Sequence, residues 1–239
     1  MADDVAQAPA RAWRVVLEKI ESDLLEGKLG PGDRLAPERE LASTLGVGRS
    51  SVREALRVLE VMGLIRTGTG SGPTSGAIII ATPRGGLAAL LRLQVAAQAF
   101  PLSDVVATRL LLEEWVVGRL ATGSGHDMTD VRATLDAMDG ESLTPVEFIA
   151  LDAQFHLALA DASGNLVVAA SMGGLRSAIE SYVQAGALRV PDWDAATTRL
   201  RAEHHQLINA IDAGEADLAR TLVHDHIVGY YAAAGMPRD

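Results

Sequence analysis

The sequence predicts a mainly α-helical protein with two domains, and three observations support this fold class. The chain has 239 residues, which is enough for two domains of ordinary size. It is 48% hydrophobic but only 4% aromatic, a balance that is typical of packed helices. A Gly-rich segment, residues 67–76, precedes the apolar run 77–81 and predicts a β-hairpin. We expect this hairpin to complete a small domain, residues 1–82, and residues 83–239 to form an all-α helical bundle.

The segment from Pro37 to Arg66 has the pattern of two short helices joined by a tight turn. Gly46 can adopt the left-handed conformation that ends a helix, and Ser50 or Ser51 can cap the next one. The two helices are expected to bury one face each, because their apolar residues recur at helical spacing: Leu41, Ala42 and Leu45 in the first, and Val52, Leu56 and Leu59 in the second.

Two arginines, Arg49 and Arg53, lie four residues apart on the second helix, on the side away from its apolar face. A helix-turn-helix presents its DNA-reading residues at this place. The hairpin that follows is then a wing, so residues 1–82 are predicted to form a winged helix-turn-helix.

The remainder of the chain has one helical pattern after another. Pro, Gly and Asn residues separate these patterns with short connections, which favours an all-α bundle. The predicted helices are residues 86–99, 102–122, 127–138, 144–162, 166–189, 193–213 and 215–233.

Three histidines and one aspartate fall on the apolar faces of these helices. Asp152 and His156 are one turn apart in the fourth helix of the bundle, and His204 and His226 lie on the inner faces of the last two. Helical phase places the adjacent His205, and likewise His224, towards solvent.

Burying these four polar groups separately is costly, and a divalent cation is one remedy. An aspartate oxygen with three imidazole nitrogens suits Zn²⁺, with Ni²⁺, Mn²⁺ or Fe²⁺ as further candidates. The alternative interpretation is a hydrogen-bonded polar network without an ion.

Residues 12–81 resemble the winged-helix domain of the GntR family of bacterial transcription regulators. The family's motifs correspond to Pro31-Gly32-Asp33, the segment 37–42 and the segment 52–56. The resemblance implies a homodimer that binds a short pseudo-palindromic operator in double-stranded DNA, typically as a repressor. It also implies that Arg39, Arg49 and Arg53 contact bases and phosphates, that Ser50 and Ser51 contact phosphate, and that Gly70 lets the wing approach DNA.

Residues 86–233 resemble the all-helical FCD-type effector domain of the FadR subgroup of that family. The motif residues are 152–156, Glu203-His204 and the helix that contains His226. In the metal-binding members of the subgroup, an aspartate and three histidines at these positions hold the ion. The resemblance implies a small carboxylate effector and assigns Arg109 to it. From the residues alone, Arg109 can instead form a surface ion pair with Glu113.

The net charge of −10 is unusual for a DNA-binding protein, but it is unevenly distributed. Residues 1–80 contain ten Lys and Arg against eleven Asp and Glu, whereas the remainder contains eleven against twenty. DNA binding is therefore expected to depend on a few well-placed arginines and on dimerisation, with weak non-specific affinity.

Several classes of protein are disfavoured by the composition. The chain has no cysteine, which excludes disulfides and thiol nucleophiles. With neither a stretch of about 20 apolar residues nor a signal-peptide pattern, we expect a cytoplasmic protein that does not interact with membranes. Two alternatives remain: a metal-free regulator that responds to acyl-CoA, and a metal-dependent hydrolase. The sequence has no HExxH motif, so we expect no enzymatic activity.

Overall fold

The computed structural model of the chain describes residues 9–68, 76–80, 83–97, 99–188 and 190–235. The chain divides into two compact units, Met1–Gly86 and Leu87–Asp239. This division lies four residues after the predicted boundary at 82/83. The helix that begins at Pro83 contributes its first turn to the first unit.

The first unit contains three helices and a two-stranded antiparallel sheet. Helix α1 packs against α3, and α2 packs against both of them around a small apolar core that includes Val16, Ile20, Leu56 and Ile79. The elements are α1 (Pro9–Leu25), α2 (Glu38–Leu45), α3 (Arg49–Val61), β1 (Ile65–Gly68) and β2 (Gly76–Ile79).

The turn between α2 and α3 is built around Gly46, which has a φ of 64° as the sequence predicts. The prediction that Ser50 or Ser51 caps the second helix is wrong. Helix α3 begins at Arg49 with Gly48 at its N-cap, and no side chain accepts a hydrogen bond there. Ser50 and Ser51 lie inside the first turn, because the Ser51 amide already donates to the Gly48 carbonyl at 3.0 Å. Their hydroxyls are therefore not needed to cap the helix.

The wing is present as an antiparallel pair in which Ile65 pairs with Ile79 and Gly68 with Gly76. Strand β2 covers Gly76–Ile79 rather than the predicted 77–81. The segment before α2 extends the sheet, since the Gly32 amide donates to the Ile79 carbonyl at 2.8 Å. Gly70 lies outside the described residues.

The second unit is an all-α bundle, which confirms the predicted fold class. Its helices match the predicted patterns, with ends that differ by three residues at most. They are α4 (Pro83–Ala96), α5 (Leu102–Thr122), α6 (Thr129–Met138), α7 (Pro145–Ala162), α8 (Leu166–Ala187), α9 (Trp193–Asp212) and α10 (Ala216–Ala233).

Helix α5 lies at the centre of this bundle and packs against α7, α8, α9 and α10. The core between these helices includes Phe148, Phe155, Leu200, Leu207 and Ile227. In the described part of the chain, no helix combines the length and the hydropathy that are needed to cross a membrane.

Local sequence signals fix where the helices of the bundle begin. Thr144 and Glu147 form a capping box at the start of α7, with Pro145 in the first turn. The Asn165 side chain accepts hydrogen bonds from two amides at the start of α8, and Asp192 accepts one at the start of α9. These caps set the register of the helices, and therefore which side chains point into the bundle.

Candidate metal centre and nucleic-acid interface

Helix α3 presents a polar face opposite the residues that it buries. Arg49, Ser50 and Arg53 are exposed, and Ser51 is half-buried. Arg39, on α2, is also exposed. The predicted DNA-contacting residues that the structure describes are thus on the surface of the first unit.

Glu38 lies against both arginines, which the sequence analysis did not predict. Its Oε2 atom accepts a hydrogen bond from Arg53 Nε at 2.8 Å and is 3.9 Å from Arg49 Nη2. Because Glu38 belongs to α2, the contact depends on how the two helices cross. The carboxylate partly neutralises the two positive charges.

Within the second unit, four side chains from three helices converge. Asp152 and His156 come from α7, His204 from α9 and His226 from α10, and all four are buried. One potential ligand atom from each lies within 4.8 Å of the others. The helical phase that the sequence indicates is therefore observed, and the bundle brings these residues to one point.

The distances in this cluster are those of a coordination shell. Asp152 Oδ1 is 3.2 Å from His204 Nε2, 3.6 Å from His226 Nε2 and 3.7 Å from His156 Nε2. The Nε2 atoms of His156 and His226 are 3.4 Å apart. Tetrahedral ligands at the usual Zn–N and Zn–O distances are separated by ~3.3 Å. The four residues therefore fit a small divalent cation without large movement.

Carboxylates outside the cluster orient two of the histidines. His226 Nδ1 donates to Glu203 Oε2 at 2.8 Å, and His156 Nδ1 lies against Glu113 Oε2. Since an ionised carboxylate only accepts hydrogen bonds, both rings carry their proton on Nδ1 and direct an Nε2 lone pair inward. Metal-binding histidines usually have such outer partners.

The pKa values of His204, His226 and Asp152 are set by burial and by the charged groups around them. Burial and the neighbouring His226 lower the pKa of His204 to about 4. Burial also opposes the charged form of His226, but hydrogen bonds to Asp152 and Glu203 raise its pKa overall. Burial opposes ionisation of Asp152, yet Arg176 and the histidines hold its pKa well below the usual range.

Arg176 is the main feature of the site that the sequence analysis missed. This α8 residue is buried, and its Nη2 donates to Asp152 Oδ2 at 2.5 Å. The pairing leaves Asp152 Oδ1 directed at the histidines. The sequence did contain a signal for a functional role of Arg176. This residue and Glu180 are the two charged residues of an otherwise uncharged 22-residue helix.

The structure also contradicts the interpretation of Arg109 and Glu113 as a surface ion pair. Both side chains are buried, and Arg109 Nε donates to Glu113 Oε1 at 2.5 Å. Arg109 Nη1 donates to the Tyr231 hydroxyl at 3.0 Å. Glu113 also contacts His156, so it connects Arg109 to the cluster. Burial opposes its ionisation, but Arg109 and His156 hold its pKa well below the usual value.

His205 and His224 are on the surface, as their helical phase predicts. Each side chain is 47% exposed. His205 pairs with Asp139, and His224 pairs with Glu114. Neither reaches the cluster, so the two serve as matched controls for the buried histidines.

A cleft of about 270 Å³ lies between α7 and α8, next to the cluster. Arg176 lines it together with Gln154, Ser177 and Gln184, and Leu157 and Val183 supply apolar surface. Arg176 thus lies between this cleft and Asp152.

The combination of an N-terminal winged helix and an all-α bundle also occurs in known proteins. Residues 14–74 match the gntR family of bacterial regulatory proteins, and residues 104–229 match the FCD domain. The chain belongs to the GntR family and carries a C-terminal FCD domain. It is therefore a DNA-binding transcription regulator.

Curated relatives of this GntR/FCD protein are named as regulators of operons or of transcription. It is 28% identical to an Escherichia coli K12 protein that is named as an L-lactate dehydrogenase operon regulatory protein, over 92% of this chain and 84% of that protein. It is 27% identical to the Glc operon transcriptional activator of the same strain (89% and 85%). It is 30% identical to the HTH-type transcriptional regulator LutR of Bacillus subtilis (86% and 96%).

The fold is similar to that of a solved GntR protein from Streptococcus agalactiae. The two share 22% sequence identity with a TM-score of 0.56, and the match covers 93% of this chain and 99% of the other. This similarity supports the architecture alone.

The ion pair between Arg176 and Asp152 generates a prediction about stability. Arg176→Met leaves a buried carboxylate without its guanidinium, so the free energy of unfolding in the presence of a chelator should fall by about 3–5 kcal/mol. Adding Asp152→Asn should recover part of this loss, because it removes the unpaired charge. Urea denaturation measures both effects.

Arg132→Met is the matched control, because it breaks an exposed ion pair with Asp212. We expect a change below about 1 kcal/mol. Equal losses for Arg132→Met and Arg176→Met would contradict the importance of the buried pair.

Proposed function

We propose that this GntR regulator is a homodimeric repressor of the FadR subgroup whose helical domain binds a divalent metal and a small carboxylate effector. The observation that carries the proposal is the convergence of three histidine Nε2 atoms and one aspartate oxygen, with the Nδ1 atoms of His156 and His226 held by carboxylates. Without a cation, inward lone pairs face an ionised carboxylate. A divalent ion bound by Asp152, His156, His204 and His226 removes that repulsion.

The ligand set favours Zn²⁺, since one carboxylate oxygen and three imidazoles suit this ion and its tetrahedral geometry. Ni²⁺, Mn²⁺ and Fe²⁺ accept similar ligands and are the other candidates.

The charge balance around the cluster supports an anionic effector. The buried carboxylates of Asp152 and Glu113 are balanced by the guanidiniums of Arg109 and Arg176. Glu203 is paired with the partly exposed Arg199. A divalent cation therefore adds net positive charge to a buried site, and a small carboxylate offsets it.

A hydroxy or keto acid fits this chemistry, because its carboxylate and its second oxygen can chelate one ion. Arg109, or Arg176 at the α7–α8 cleft, then offers a charge-assisted hydrogen bond to the remaining carboxylate oxygen. One relative is named as a regulator of an L-lactate dehydrogenase operon, which supports an effector of this class.

The two alternative functions are less well supported. The buried ionic cluster of four charged residues and three histidines fills the region where an acyl chain would need apolar walls. The curated relatives are transcription regulators rather than hydrolases. We therefore assign the ion a role in effector binding, with no catalysis.

On the DNA side, we infer that a dimer places two copies of α3 in successive major grooves of a short pseudo-palindromic operator. Arg39, Arg49 and Arg53 contact bases and phosphates, Ser50 and Ser51 contact phosphate, and the wing approaches DNA at Gly70. A regulator of this kind acts in the cytoplasm, where it meets DNA.

The first functional prediction concerns the recognition helix. Arg49→Ala and Arg53→Ala should each weaken binding to an operator selected from random duplexes by about 1–3 kcal/mol, because each removes an arginine aimed at a base or a phosphate. Fluorescence anisotropy at fixed salt measures the loss.

Arg14→Ala is the control, because it removes the same charge from α1, where Arg14 stacks on Trp13. It should retain operator affinity. If both α3 variants bind as tightly as the wild type, α3 is not the recognition helix.

The second prediction concerns the metal. His204→Ala should abolish stoichiometric binding of one divalent ion per chain, whereas His205→Ala, one position further, should retain it. An ion present at 100 times its dissociation constant adds about 2.7 kcal/mol to folding. A chelator should therefore destabilise the wild type and the His205→Ala variant, but leave His204→Ala unchanged.

Elemental analysis and thermal unfolding test this prediction together. His226→Ala and His224→Ala form a second matched pair. Full metal content in a His156→Ala, His204→Ala double variant would refute the site.

The third prediction connects metal, effector and DNA. A small hydroxy or keto acid should change operator affinity by about 5- to 150-fold, the usual range of coupling between sites. Arg109→Met should weaken this response, and removal of the metal should abolish it while DNA binding persists. Operator titrations with a panel of such acids, with and without chelator, measure the coupling. A full response in the metal-free protein would show that the effector binds elsewhere.

A further inference from the structure

The outer face of α5 carries large apolar side chains that the bundle does not bury. Leu111 is 69% exposed and Trp115 is 43% exposed, and they are one helical turn apart. The inner face of the same helix holds Arg109 and Glu113 against the cluster. One face of α5 therefore packs in the bundle, and the opposite face exposes apolar side chains to solvent.

Exposed charges of opposite sign lie at the two ends of this apolar stripe. Asp104 is seven residues before Leu111, and Arg119 is eight residues after it. Both are exposed, and neither side chain forms an ion pair within the described part of the chain. At 1.5 Å per residue, each lies about 11 Å from Leu111 along the helix axis, in opposite directions.

This arrangement is complementary to itself. Two copies of α5 that pack antiparallel about a two-fold axis near Leu111 bring Asp104 of each copy opposite Arg119 of the other. The same rotation covers Leu111 and Trp115 on both copies, with the exposed Thr108 facing the tryptophan. One symmetric contact then buries the apolar surface and pairs the charges at both ends.

We propose that the outer face of α5 (Asp104, Thr108, Leu111, Trp115 and Arg119) is the surface through which two copies of this chain dimerise. The proposal rests on the homodimer of the proposed function and adds its location. It also explains how effector binding can reach the interface, because the inner face of α5 carries Arg109 and Glu113.

A second exposed apolar stripe, on α4, is less suited to this role. Leu90 and Leu93 are exposed there, but the charge between them is Arg92. Both charged residues of α4 are arginines, Arg84 and Arg92, so this helix has no opposite charges for a two-fold axis to pair. The distribution of charges therefore favours α5 as the helix on which a second copy of the chain docks.

Disulfide trapping tests the location directly, because the natural chain has no cysteine. Leu111→Cys should give a covalent dimer in high yield under mild oxidation, since the two thiols face each other near the axis. Val167→Cys is the control, because Val167 is similarly exposed, at 71%, on α8. It should remain uncrosslinked.

Charge reversal provides an independent measurement. Asp104→Arg and Arg119→Asp should each weaken the dimer about tenfold in sedimentation equilibrium, because each places like charges opposite one another twice by symmetry. The double variant restores opposite charges and should recover the wild-type dissociation constant.

The outcomes distinguish the hypothesis of an α5 interface from the hypothesis of a homodimer. A wild-type dimer in which Leu111→Cys fails to crosslink, or in which charge reversal has no effect, would overturn the α5 interface and leave the homodimer intact. A wild type that sediments as a monomer at all concentrations would overturn both. Crosslinking at Leu111 together with recovery in the double variant would support the interface.

Discussion

The ion pair between Asp152 and Arg176 allows a helical bundle to keep charged groups at its centre. An isolated buried carboxylate would become protonated or would destabilise the fold. Arg176 donates to one oxygen of Asp152, so the carboxylate stays ionised. Its other oxygen is directed at three imidazoles. The affinity of the site for a cation therefore depends on Arg176, which is not one of the four candidate ligands.

Helix α5 connects the functional parts of the second unit. Its inner face contributes Arg109 and Glu113, and Glu113 in turn orients His156. Its outer face carries the apolar stripe around Leu111. A helix packed on one side against an ionic cluster can shift when the charge of that cluster changes. A ligand that favours one position of α5 would then favour one arrangement of the proposed dimer.

The DNA-binding unit depends on a weaker and more exposed set of charges. Residues 1–80 have almost no net charge, so attraction to phosphate is not a property of the whole unit. Glu38 further reduces the positive charge near Arg49 and Arg53. Specific binding in such a unit depends on aimed contacts, and the proposed dimer would double their number.

The sequence by itself determined the order of the helices, the turn at Gly46 and the inward phase of Asp152, His156, His204 and His226. These features are set by local rules, namely helical periodicity, capping residues and the conformational freedom of glycine. The sequence could not show that Arg176 reaches Asp152, that Arg109 and Glu113 are buried, or that Glu38 lies beside Arg53. Each of these contacts joins different helices or depends on which face of a leucine-rich helix is covered. Only the packing of the helices decides them, because helical phase orients a side chain without identifying what it meets.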